Sequence, residues 1–179
     1  MRLFIAAVPP RDVRDRLAGE ILALRETGAE GRFVRREDLH MTLAFLGEQP
    51  EERASAARRA MESVPRESFA AEIGPWDRFR GGRAGDVLIR PVEGGAALRT
   101  LQSALAEALV KNGFSPEDRP FRPHLTAARR FRGTAGALPV ENLRFFVREI
   151  VLFASVPENG RREYVPLHVT SLSGGEERP

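Results

Sequence analysis

When the chain is slid along itself by 84 residues, positions 1–46 lie over 85–130 without a gap. Leu3-Phe4-Ile5 falls on Val87-Leu88-Ile89, Val8 on Val92, Leu17 on Leu101, Ile21 on Leu105 and Arg35 on Arg119. In the same register His40, Thr42 and Ala44 fall on His124, Thr126 and Ala128. Identities are few, but the apolar pattern and a His-x-Thr tripeptide coincide. One supersecondary unit used twice accounts for this. Two copies around a pseudo-twofold axis bring their His-x-Thr strands face to face, so the chain is confined to two matching halves around a cleft.

The rest of the chain reads as alternating strands and helices. A strand over 2–8 ends at Pro9-Pro10, and a helix over 10–25 has Val13, Leu17, Ile21 and Leu24 at helical spacing. Phe33-Val34 is a short strand, and residues 40–46 are the first motif strand. A helix over 51–64 follows, then strands over 69–73 and 76–79, with a tight two-residue turn at Gly81-Gly82. A strand over 87–92 precedes a helix over 96–111 that stops at Asn112-Gly113. The second motif strand covers 124–130. Residues 143–154 read as one long strand, and 162–172 as another that turns back through residues 157–160. Hairpin turns favour an α+β fold with antiparallel strands over a doubly wound parallel sheet. The expected organisation is a single bilobal catalytic domain over 1–172 and a polar, disordered tail over 173–179.

Composition removes several chemistries. The chain has no cysteine, which excludes disulfides, thiolate metal sites and a cysteine nucleophile. No glycine-rich phosphate loop joins a strand to a helix, and there is no serine elbow or carboxylate cluster. The net charge is only +3, which argues against tight non-specific duplex binding. The basic residues are nearly all arginine, whose fork suits bidentate phosphate contacts. The apolar start is too short for a signal segment and no run is long enough to span a membrane, so a cytoplasmic protein with no membrane partner, most simply a monomer, is expected.

Residues two apart on a strand share a face, so His40 sits beside Thr42 and His124 beside Thr126. Two imidazoles across a cleft can serve as acid and base in one turnover, while two hydroxyls hold non-bridging phosphoryl oxygens. That set suits metal-free opening of a strained cyclic phosphodiester, with no cofactor. His168-Val169-Thr170 repeats the tripeptide, but no strand–helix unit precedes it in register, so it reads as a structural strand residue. A site with His40, His124 and His168 as zinc ligands, and a module that grips an RNA end without turnover, are the alternatives.

With these residues in place, the chain resembles the two-histidine (2H) phosphoesterase superfamily, specifically the RNA 2′,3′-cyclic phosphodiesterases also described as 2′-5′ RNA ligases. RLFIAAVPP, DLHMTLAFLGE and FRPHLTAARR look like its landmarks. The resemblance implies two antiparallel sheets facing a central cleft with helices outside. It implies hydrolysis of RNA 2′,3′-cyclic phosphate ends to 2′-phosphates without a metal, and 2′-5′ joining in reverse. Relatives acting on 2′-5′ oligonucleotides or small cyclic phosphates stay open. His40 would be the proton donor to the leaving 3′ oxygen and His124 the base for water. Thr42 and Thr126 would bind phosphate with Arg129. Strict alternation puts Arg130 on the His124 face instead, so Arg129 needs a bulge; both are kept, with Arg129 favoured. Ala127 stands where a larger apolar residue is usual. Phe4, Phe45 and Trp76 are the base-stacking candidates.

Overall fold

A computed structural model describes residues 1–115, 119–134, 138–158 and 160–174; most of the expected tail, from residue 175, lies outside them. Ten strands and three helices follow in the order β1 (Arg2–Ala7), α1 (Arg11–Glu26), β2 (Glu30–Phe33), β3 (Met41–Glu48), α2 (Arg53–Glu62), β4 (Phe69–Ile73), β5 (Asp77–Phe79), β6 (Asp86–Glu93), α3 (Gly95–Lys111), β7 (His124–Arg132), β8 (Leu143–Val147), β9 (Glu149–Glu158) and β10 (Arg161–Ser171).

The strands form one antiparallel path, β10-β9-β1-β3-β7-β6-β4-β8, with β2 added to β7 and β5 to β6. Its midpoint is where β3 meets β7, at Met41 opposite Leu125. The path reads alike outward from that joint: β3 then β1 on one side, β7 then β6 on the other. Those are the two copies of the repeat, and the fold is α+β with two antiparallel halves.

The apolar pattern explains why these elements pack as they do. β1 is buried from Leu3 to Ala7, as a strand flanked by β3 and β9 must be. Val13, Leu17, Ile21 and Leu24 form the buried stripe of α1, and Leu98, Leu101, Leu105, Ala108 and Leu109 that of α3. Burying each of the larger aliphatic chains contributes about 1.5–3 kcal/mol. Arg90 on β6 is the one charged side chain in this interior among the described residues, at 1% exposure. It pairs with Glu20 of α1 and donates to the carbonyls of Gly74 and, at 2.7 Å, Glu141.

Two sequence expectations need correction. Residues 143–154 are two strands broken at Arg148. Residues 143–147 pair with β4 in one half, while 151–155 pair with β1 in the other. The chain changes halves there without a glycine or proline to mark it. Gly81-Gly82 is not a two-residue turn either. Six residues join β5 to β6, and Gly82–Ala84 form a 3-10 turn within them.

Candidate active site

The Met41–Leu125 joint sets the geometry of the site. In an antiparallel pair, that register puts His40 opposite Thr126 and Thr42 opposite His124. The histidines are then diagonal neighbours, and diagonal positions lie about 7–8 Å apart. A phosphate fits between side chains so spaced. Met41 and Leu125, on the other face, are fully buried and hold both strands against the core. All four motif side chains line one cavity of about 460 Å³.

The two imidazoles are held by the same device. His40 Nδ1 lies 2.6 Å from the carbonyl of Asp38, and His124 Nδ1 lies 2.6 Å from the carbonyl of Arg122. A carbonyl only accepts, so Nδ1 carries the hydrogen in both rings and Nε2 keeps the lone pair of the neutral form. His40 is walled by Phe4 at 5.0 Å and, edge-on, by Tyr164 at 5.3 Å. Phe79 meets His124 edge-on at 4.9 Å.

Burial lowers both imidazoles below the usual histidine range. Arg129 pushes both the same way, and His124 adds to the effect on His40. Both rings are therefore poised neutral, ready for an anion whose charge favours the imidazolium. A consequence for stability follows. Since the folded values lie below the unfolded ones, the unfolded chain binds more protons, and stability is lost as pH falls below about 6.5. The melting temperature of the wild type should drop between pH 7.5 and 5.5. A His40→Gln/His124→Gln variant should show a shallower slope, and equal slopes would refute the assignment.

Arg129 lines the cavity and Arg130 does not. Opposite β6, Thr126 faces Ile89 but Ala128 faces Leu88, so β7 carries an extra residue. That bulge moves Arg129 onto the motif face, and a second register shift, between Ala128 and Phe131, follows it and leaves Phe131 in the core. Arg130 then takes a left-handed φ of 54°, found at no other non-glycine among the described residues. Gly85 makes room for it: a Cβ there would lie 2.9 Å from the Arg130 backbone. The Arg129 backbone is part of the β2–β7 ladder, but its guanidinium has no hydrogen bond or ion pair among the described residues. Arg119 and Arg122 also line the cavity, so it is strongly basic.

The aromatic candidates separate. Phe45 is 42% exposed and lines the cavity. Phe4 is buried beneath His40 and presents no open face. Trp76 lies outside the cavity, 5.4 Å from the Arg90 guanidinium, which draws its ring to the interior. Tyr164, Phe79 and Phe121 line the cavity and were missed. Phe121 stands in the motif segment itself; Tyr164 and Phe79 sit far from it in sequence, and only the strand register brings them there. His168 stands apart on β10, 3.7 Å from Glu62 of α2. It does not line the cavity, so the three histidines do not converge.

The comparisons with known proteins fit this arrangement. The sequence signature of the 2′-5′ RNA ligase superfamily matches residues 13–153. The chain belongs to that superfamily. The RNA 2′,3′-cyclic phosphodiesterase of Escherichia coli is 31% identical over 96% of this chain and 97% of its own length. The enzyme of that name from Geobacillus stearothermophilus is 35% identical over 68% of this chain, but the match spans only 41% of that protein. A crystal structure of E. coli LigT complexed with 3′-AMP superposes with a TM-score of 0.75 at 27% identity, covering 97% of this chain and 98% of that one. Among the described residues, no helix is long and apolar enough to cross a membrane.

Proposed function

We propose that the protein hydrolyses RNA 2′,3′-cyclic phosphate ends to 2′-phosphates; its relatives carry the name RNA 2′,3′-cyclic phosphodiesterase. The observation that carries this is the matched pair of imidazoles. Each is fixed through Nδ1, each keeps Nε2 for proton transfer, and both line one basic cavity with two threonine hydroxyls.

In this reading His124 takes a proton from water as its oxygen attacks phosphorus. The P–O3′ bond breaks, and His40, which enters the step as the imidazolium that the bound anion favours, gives its Nε2 proton to the leaving O3′. Thr42 and Thr126 donate hydrogen bonds to the non-bridging oxygens, and Arg129 offsets the charge that gathers on them. Phe45 offers the exposed ring on which a terminal base stacks. A 5′-hydroxyl in place of water would give 2′-5′ joining with the same groups. These residues supply acid, base and charge stabilisation by themselves, so the reaction needs no metal.

The test is an assay on RNA ending in a 2′,3′-cyclic phosphate with excess chelator present. The expected product carries a 2′-phosphate and a free 3′-hydroxyl. Binding without turnover would turn the protein into an RNA-end binding module. Turnover restricted to 2′-5′ oligonucleotides or small cyclic phosphates would move it to another substrate class.

A further inference from the structure

The two halves of the site share the His-x-Thr strand and the hold on each Nδ1, but they differ in one charge beside the imidazole. The slide of 84 that puts His40 on His124 also puts Asp38 on Arg122. These two residues do the same backbone task, each accepting the Nδ1 hydrogen of the imidazole two positions later at 2.6 Å. Their side chains carry opposite charge.

The difference stands out against the rest of the lining. Asp38 is the one carboxylate among the described residues around a cavity that also holds Arg119, Arg122 and Arg129. A carboxylate in an anion site weakens anion binding, so its placement calls for a compensating gain. It is also well held: Arg35 Nε donates to it at 2.7 Å, and its side chain is 16% exposed. Arg122 lies 4.7 Å above the Phe79 ring, and that ring abuts His124. Arg129 of β7 acts on both imidazoles in the same direction. Around His40, the other charged or titratable groups are Asp38 of its own segment, His124 from β7 and Tyr164 from β10. Around His124, Arg122 and Arg129 are both cations.

We propose that Asp38 and Arg122 are positioning residues that divide the labour in this near-symmetric site, the carboxylate holding His40 as the proton donor and the guanidinium holding His124 as the proton acceptor. The inference rests on the acid–base reading above and gives it a physical cause. Burial acts on both rings alike in sign; only this pair of side chains acts on them in opposite senses. The two motifs deliver two like imidazoles, and this charge inversion biases them in opposite senses.

The test uses Asp38→Asn and Arg122→Gln in the full chain. Both leave the backbone carbonyls in place, and asparagine still accepts from Arg35. With only three histidines in the chain, each imidazole can be followed by 15N NMR and assigned through single His→Gln variants. Asp38→Asn should lower the His40 midpoint by about half a pH unit or more, and Arg122→Gln should raise that of His124 similarly, the size expected of one partly screened charge nearby. In the pH–rate profile, Asp38→Asn should move the alkaline limb down and Arg122→Gln the acid limb up. Asp38→Asn should also tighten inhibition by inorganic phosphate, which a merely structural role would not do. Midpoints that stay fixed overturn the proposal and leave the acid–base reading standing. Midpoints that move under a pH-independent rate overturn both. Limbs that move on the opposite sides exchange the roles of the two histidines and overturn the assignment.

Discussion

His124→Ala is expected to slow hydrolysis of a 2′,3′-cyclic phosphate end by roughly 10²–10⁴-fold, the usual contribution of one general acid or base. His40→Ala should cost a similar factor. KM should change little, because the groups proposed to hold the phosphate, Thr42, Thr126 and Arg129, are kept in both variants. The losses should not multiply in the double variant, since an acid and a base that act in one step fail together. The fold should survive, because each ring borders a cavity rather than filling the core. His168→Gln is the matched control: it removes the third imidazole, on β10 against Glu62, and should leave the rate intact. Rates measured under saturation, with melting curves for each variant, decide the matter. An alanine variant at wild-type rate would remove that histidine from the chemistry.

The largest expected loss of stability comes from the interior behind the motif strands. Arg90→Met should destabilise the fold by about 3–5 kcal/mol, the cost of removing one partner from a buried ion pair. Methionine fills much of the volume but leaves Glu20 without its counter-charge and the carbonyls of Gly74 and Glu141 without their donor. For a chain of this size the melting temperature should fall by roughly 10 °C. Activity below that temperature should fall less, because Arg90 faces away from the cavity, although its strand neighbour is Leu125 at the joint of the motif strands. A shift of only a degree or two would mean that water reaches the vacated carbonyls.

The proposed catalytic pair was legible because it is written twice. His40 and His124 repeat with their strand, their helix and their hydroxyl, and repetition in one register distinguishes them from His168. What the sequence hid is what pairing between strands decides. Arg129 and Arg130 are adjacent, and choosing between them requires the bulge opposite Leu88, for which the run of small residues at Ala127-Ala128 is only a faint sign. Tyr164 reaches His40 because β10 lies beside β9, and β9 beside β1. Trp76 looked like a stacking ring because aromatics are common in such clefts; the buried guanidinium of Arg90 claims it instead. The break at Arg148 was invisible because both flanks read as good strand and nothing between them signals a turn.

That crossing at Arg148 ties the two copies into one knot of mutual dependence. β2, encoded in the first copy, pairs with β7 of the second half, while β9 and β10, encoded after the second, shield β1 of the first. Cut anywhere between, neither fragment would hold all the strands its own half requires. The molecule should melt in a single cooperative step, and a lone copy could complete such a sheet only by trading strands with a twin.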